Sequence, residues 1–284
     1  MTVADLAEVL AAHPGALVLT GAGMSTDSGI PDYRGPDGKR RVTPMEHGEF
    51  VGSSEARQRY WARSYIGWTR FTRAEPNDGH RAVAALQRAG VLGAVITQNV
   101  DGLHQRAGST RVTELHGSLA DVVCLDCGAV HDREFMQALM TDANPGFAEL
   151  ATGTSADGSR VSSQIRPDGD IVLADDLVAG FHQPTCPHCG SDKVKPDVVF
   201  FGGSVPRERV EHCFELTDRA SALLVLGSSL QVMSGFRFVR RAVARGIPAL
   251  AITRGPTRAD GLLTHHVDAD LSSSLRVLQD RLIR

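Results

Sequence analysis

Apolar and polar positions along the chain predict strands and helices in turn. Residues 3–12 place apolar positions at helical spacing, and Ala16–Thr20 is an apolar run ending at Gly21-Ala22-Gly23. Residues 55–71 and 79–89 read as helices. Val91–Thr97 reads as a buried strand, Asp101–Ala107 as a short helix closed by Gly108, and Val112–Leu115 as a strand. Further on, Val198–Phe201 reads as a strand, 206–218 as a helix, and Ala222–Leu226 as a strand running into Gly-Ser-Ser. A helix over 235–245, a strand over Pro248–Thr253 and a helix over about 272–283 complete the chain. Strands apolar on both faces, alternating with helices, belong to a parallel, doubly wound α/β sheet.

The segment 124–189 breaks this alternation. Its middle, about 141–170, is rich in Gly, Ser, Asp, Thr and Pro and reads as a long loop. The predicted organisation is a main domain from 1–121 and 193–284 and an insert from 122–192. A helical segment at about 36–75 is expected to contribute to the smaller lobe.

Composition excludes several classes. With 284 residues, 42% of them hydrophobic, and a net charge of −3, the chain is expected to bury a core rather than stay disordered. No run of 18 apolar residues is present, so no membrane-spanning helix is expected. The N-terminal stretch has no basic region followed by an apolar core and cleavage site. A cytoplasmic protein is expected. The small net charge is a cancellation. Residues 34–73 hold nine basic side chains against four acidic, whereas 124–189 hold ten acidic against three Arg. The acidic insert argues against a nucleic-acid partner, because phosphate binding needs clustered cations.

Four of the five cysteines form two C-x-x-C pairs, Cys124/Cys127 and Cys186/Cys189, each followed by Gly. In a reducing compartment such pairs favour metal over disulfides, and four thiolates make a closed tetrahedral structural zinc site. A redox C-x-x-C is the alternative. His188 is not expected to be a ligand, and Cys213 reads as a buried helix residue.

Three polar strings follow predicted strands. Gly21-Ala22-Gly23-Met24-Ser25 follows the first. Glycines there let backbone approach a diphosphate, although the position of the third glycine of a dinucleotide fingerprint holds Thr26. A tight turn with no ligand is the plain alternative. Pro31-Asp32-Tyr33-Arg34 then sets an acid, a ring and a guanidinium beside that turn. Gln98-Asn99-Val100-Asp101 follows Val91–Thr97, where side-chain amides and a carboxylate suit a carboxamide and ribose hydroxyls; helix capping is the competing role. His116-Gly117 ends another strand and is placed for general-base work, against a merely structural histidine.

Taken together these strings resemble the sirtuins, NAD-dependent protein-lysine deacylases. The matching pieces are Gly21-Ala22-Gly23-x-Ser25-x-x-Ser28-Gly29-Ile30-Pro31-Asp32-Tyr33-Arg34, then Thr97-Gln98-Asn99-x-Asp101-x-Leu103-His104, then His116-Gly117 and the cysteine pairs. Lys195-Pro196-Asp197-Val198-Val199-Phe200-Phe201-Gly202 and Gly227-Ser228-Ser229-Leu230-x-Val232 follow in the family's order. Residues 58–63, the Gly-Ser-Ser-Leu-Gln-Val string and residues 255–258 look most like the class II branch.

The resemblance implies a large Rossmann-type domain, a small zinc lobe, and NAD with an acyl-lysine between them. It assigns Gly21, Ala22, Gly23, Ser25, Asp32, Tyr33 and Arg34 to NAD, and Gln98, Asn99 and Asp101 to the nicotinamide ribose and carboxamide. Gly227, Ser228 and Ser229 would meet phosphate and ribose, and Thr253, Arg254 and Leu271 the adenosine end. Val199 and Phe201 would line the acyl-lysine channel, with nearby backbone pairing to the peptide. His116, with Asn99, would be catalytic. In the family's chemistry the acyl oxygen attacks C1′ of the nicotinamide ribose, nicotinamide leaves, and the base deprotonates a ribose hydroxyl. O-acyl-ADP-ribose and free lysine result. Mono-ADP-ribosyl transfer to protein is the alternative activity.

This sequence departs from the family in four places. Gly202-Gly203 stands where many members have Gly-Glu, Thr253-Arg254 where an Asn is frequent, and Tyr33 where Phe is usual, and the segment between the cysteine pairs is long. Tyr60 and Arg63, three apart on a predicted helix, have the spacing that one sirtuin class uses for acidic acyl chains. Packing is the competing role for that aromatic segment.

Overall fold

Thr2 starts the chain's first helix, α1 (Val3–Ala12), through a capping box. Its hydroxyl accepts from Asp5 N, and the Asp5 carboxylate accepts from Thr2 N. In this computed structural model the described residues are 2–33, 43–152, 169, 171 and 173–283. After α1 come β1 (Ala16–Thr20), α2 (His47–Gly52), α3 (Ser54–Phe71), α4 (Asp78–Arg88), β2 (Leu92–Thr97), α5 (Leu103–Arg106) and β3 (Val112–Glu114). The middle of the chain forms β4 (Gly117–Cys124), β5 (Val130–Asp132), α6 (Arg133–Ala143), α7 (Phe147–Thr152), α8 (Asp175–Ala179) and β6 (Val194–Val198). The last part forms α9 (Arg207–Arg219), β7 (Leu223–Leu226), α10 (Met233–Ala244), β8 (Ala249–Ile252), β9 (His265–Val267) and α11 (Leu271–Leu282).

Two units account for these elements. The first takes its described residues from 1–41, 75–116 and 205–284; the second comes from 42–74 and 117–204. The first unit holds a six-stranded sheet in the order β3-β2-β1-β7-β8-β9, every pairing parallel. Strand residues alternate between its two faces. Ala16 and Val18 join one apolar cluster with Leu6, Val83 and Leu275, while Leu17 and Leu19 join another with Phe238 and Val239. Both faces are therefore covered, which is why the strands lack a polar side. Strand order reverses between β1 and β7, with Thr20 paired to Thr97 on one side and to Leu226 on the other. Ligands of open α/β sheets bind beyond the carboxyl ends of strands at such a switch point.

The second unit holds a three-stranded antiparallel sheet, β5-β4-β6, and the helices α2, α3, α6, α7 and α8. Its core is aromatic. Tyr60 packs edge-on to Phe50 and Trp61 and tilted against Phe200, and Tyr65 lies against Phe147 and Phe181. The Arg133 guanidinium is buried with Trp61 and Trp68 rings 5.3 and 4.7 Å away, and burial holds its pKa down at about 10.

One strand is corrected. Residues Val198–Phe201 read as a strand from their apolar run, but the strand is Val194–Val198, and Phe201 makes only an isolated bridge with Glu46. Lys195 and Pro196 disguise it. Pro196 is tolerated because β6 is an edge strand, and Lys195 is buried with Nζ donating to the Pro196 and Val198 carbonyls at 2.7 and 2.6 Å. The long-loop reading of 141–170 is corrected in part, since α6 continues to Ala143 and α7 covers Phe147–Thr152. Most of the remainder of that stretch lies outside the described residues.

Candidate NAD site and four-cysteine cluster

The turns after β1 and β7 approach each other closely. A Cβ on Gly21 would stand 2.7 Å from Ser228 Cβ, and one on Gly227, whose φ is +60°, would stand 2.6 Å from Met24 N. The backbone contact is sealed by Gly23 N donating to Gly227 O at 2.9 Å. Glycine at these positions therefore lets two strand ends share one floor. Ser25 is buried there. Its hydroxyl donates to Asp101 Oδ2 at 2.6 Å, and the Asp101 Oδ1 accepts from Leu103 N at 2.9 Å. Burial raises the Asp101 pKa, opposed by these two bonds.

Asn99 and Gln98 complete the first unit's polar cluster. Asn99 Nδ2 donates to Gly21 O at 3.1 Å and to Ser25 Oγ at 3.0 Å. Gln98 Nε2 donates to Thr20 O at 3.1 Å and to Ser228 Oγ at 2.9 Å. Behind them Thr97 Oγ1 accepts from Asn99 N, and Thr20 Oγ1 donates to Thr97 Oγ1. Asp101 caps α5 from outside, while Asn99 and Gln98 tie the strand ends together. Half-buried Ala22, Gly23, Asp32, Tyr33 and Ser229 flank the cluster in sequence. Ser28 Oγ is buried with no hydrogen-bond partner among the described residues. Such an orphaned hydroxyl beside a glycine turn, together with this donor set, fits a bound dinucleotide. Arg34 lies outside the described residues.

Thr253 follows β8 and is buried, its N donating to Val267 O. Arg254 is exposed and bonds Asp270 at 2.9 Å, and Leu271 opens α11. His116 bonds at both ring nitrogens, Nδ1 to Gln98 O at 2.9 Å and Nε2 to Ser234 Oγ at 2.8 Å. A carbonyl oxygen only accepts, so Nδ1 carries the proton and Nε2 the lone pair. Burial pushes the His116 pKa down to about 4, aided by the Arg209 and Arg237 charges and opposed by the Gln98 bond. The imidazole is neutral at physiological pH. Gly117, next in the chain, is in the second unit, and any Cβ there would run into the Asp197 carbonyl. Ser234 and Thr20 carry no motif signal in the sequence, whereas Thr97 opens the Thr97-Gln98-Asn99 string.

In the second unit, Val199 and Phe201 are half-buried and flank buried Phe200, so the segment alternates its sides as an extended chain does. Tyr60 is buried in the aromatic core. Arg63 is half-buried, and its Nε is buried without a hydrogen-bond partner among the described residues.

The four sulfurs of Cys124, Cys127, Cys186 and Cys189 lie within 4.8 Å of one another, with Cys124–Cys189 and Cys127–Cys186 at 3.6 and 3.7 Å. Tetrahedral zinc with Zn–S near 2.3 Å needs sulfurs about 3.8 Å apart. The residues fit the metal, and the four cysteines are not joined by disulfides. His131 Nε2 lies 3.5 Å from Cys186 Sγ. Cys213 is buried on α9.

Fold and site define a dinucleotide-binding α/β protein with a four-cysteine lobe. Residues 21–234 match the Sir2 family, and the chain belongs to that family. It is 53% identical over 281 residues, 99% of this chain and 90% of the relative, to NAD-dependent protein deacetylase 1 of Streptomyces coelicolor. It is 46% identical over 262 residues, 92% and 82% of the two chains, to an NAD-dependent protein deacylase of Monosiga brevicollis. Among solved structures it resembles a Sir2 enzyme at 31% identity and TM-score 0.73, covering 99% of this chain and 97% of the other. It also resembles a Sir2 complex with p53 peptide and NAD+ at 28% identity and TM-score 0.73, covering 99% and 98%.

Proposed function

We propose that this chain removes acyl groups from lysine side chains of proteins with NAD as co-substrate, and that His116 is the general base. The observation that carries this reading is the Nδ1–H bond from His116 to the Gln98 carbonyl. It ties a neutral imidazole, lone pair on Nε2, to the same Gln98-Asn99-x-Asp101 string that supplies polar groups for a ribose and a carboxamide. NAD, when bound, supplies an electrophilic ribose carbon and nicotinamide as leaving group.

The chain's own residues have separate tasks in this reading. The Gly21–Ser25 and Gly227–Ser229 turns accept the diphosphate by close backbone approach. Asn99 and Asp101 orient the nicotinamide ribose and amide, and His116 Nε2 takes a ribose hydroxyl proton. Thr253, Arg254 and Leu271 serve the adenosine end. The outer edge of β6 and the Val199–Phe201 segment take the acylated peptide as an added strand. The cysteine cluster holds zinc as a structural centre.

Mass spectrometry of an acetyl-lysine peptide incubated with NAD tests the reading. Nicotinamide, O-acetyl-ADP-ribose and free lysine support it. An ADP-ribosylated protein without deacylation contradicts it. A preference for acidic acyl chains is the second reading. It rests on Arg63, whose Nε is buried without a partner among the described residues, in a stretch of net positive charge.

A further inference from the structure

The hydroxyl on the free nitrogen of His116 comes from Ser234, in the first turn of α10. Because Nδ1 is committed to the Gln98 carbonyl, Nε2 can only accept in the neutral ring, and Ser234 donates to it at 2.8 Å. The placement is set by the backbone on both sides. At the adjacent Gly235 a Cβ would stand 2.6 Å from Gln98 Oε1, so α10 is seated directly against the segment that holds Nδ1. One helix turn and one strand end therefore fix both ends of the imidazole's hydrogen-bond set. The charged groups acting on this ring are Arg209 of α9 and Arg237 of α10, and both disfavour its protonated form.

We infer that Ser234 is a positioning residue for the His116 base: its hydroxyl holds Nε2 in the free protein and receives the Nε2–H bond once His116 has taken a proton. The inference rests on the general-base reading of His116. A serine hydroxyl suits both states because it both donates and accepts. When the substrate hydroxyl approaches, the Ser234 O–H rotates away from Nε2. The proton moves from substrate oxygen to Nε2, the electron pair stays on that oxygen, and the new Nε2–H donates to Ser234 Oγ. The second bond is charge-assisted and the stronger of the two, so Ser234 favours the state formed during reaction. An alanine keeps the helix and removes both bonds.

The test is Ser234→Ala and Ser234→Thr, each checked for an unchanged melting temperature. Steady-state kinetics on an acetyl-lysine peptide and nitrogen-15 NMR of labelled histidine without NAD are then compared. Ser234→Ala is expected to lower kcat roughly tenfold with KM for NAD within about twofold, and Ser234→Thr to restore most of kcat. The His116 Nε2 resonance is expected to move toward the value of an unbonded imine nitrogen in Ser234→Ala alone. An unchanged kcat, a change confined to KM, or an unmoved Nε2 resonance overturns the inference. Failure of the underlying reading looks different. A fully active His116→Ala, with the Nε2 resonance still shifted in Ser234→Ala, shows that the bond exists but that His116 is not the base, and the inference falls with it.

Discussion

Asn99 reaches Ser25 at 3.0 Å, and Ser25 in turn donates to Asp101 at 2.6 Å, so an amide, a hydroxyl and a buried carboxyl form one chain across the ends of β1 and β2. Asn99 is the half-buried amide end of this chain, and the proposed function has it orient a substrate amide or ribose. Asn99→Ala should lower nicotinamide release by roughly 100-fold or more, because a preorganised polar group in a water-poor site is lost. Release at the wild-type rate would remove Asn99 from the reaction.

Ser25→Ala probes the same chain from inside. It takes the Ser25 bond from a buried carboxyl whose pKa burial already raises. Urea denaturation at pH 7 should show about 1–3 kcal/mol of lost stability. A loss within error of zero would mean that water replaces Ser25 freely.

The cysteine cluster carries the next prediction. Metal analysis of the purified protein should give one zinc per chain, and a strong chelator or Cys186→Ser should lower Tm by at least roughly 5 °C. Zinc-free protein with an unchanged Tm would contradict a structural role.

Acid should weaken the fold earlier than its carboxylates require. His116 and His104 titrate at about 4, and His80, packed edge-on to His104 with centroids 4.9 Å apart, at about 2, all lowered chiefly by burial from 6.5. The folded chain therefore binds fewer protons than the unfolded one below pH 6.5. Stability is full above that pH and falls as pH drops, by about 1.4 kcal/mol per unit for each such histidine once pH is below 6.5. Denaturation curves between pH 7.5 and 5 check the slope. A flat profile over that range would show that the three rings are protonated inside the fold.

The acidic-acyl reading turns on Arg63. Arg63→Ala should cut activity on succinyl-lysine peptide more than on acetyl-lysine peptide, because only the former carries a carboxylate for the guanidinium. Equal losses would remove the acidic-acyl reading. Tyr60, the other half of the spacing, is already engaged in the aromatic core with Phe50, Trp61 and Phe200.

Much of this was legible in the sequence because parallel strands buried on both faces write continuous apolar runs. β1, β2, β7 and β8 fell where those runs predicted them, to within a residue or two. The cysteine pairs were legible from spacing alone, and their sulfurs converge. What escaped were features set by tertiary context. The strand at Val194–Val198 contains a lysine and a proline that only an edge position and buried carbonyl partners make acceptable. β4, eight residues long, and β5, three, belong to a small antiparallel sheet, and their apolar positions, interrupted by Asp121 and by the Cys124–Gly128 turn, write no continuous run. Ser234 gave no signal because a serine in a helix's first turn is ordinary, and its meaning comes only from His116 arriving from elsewhere in the chain.

His116 stands in the proposed function as the base of an NAD-dependent lysine deacylase. That role is tested most directly by the deacylation rate of wild type and His116→Ala on a panel of acyl-lysine peptides, with NAD binding measured in parallel. A loss of roughly 100- to 10,000-fold is expected on every peptide, with NAD affinity retained. Undiminished deacylation by His116→Ala on every active peptide would contradict it.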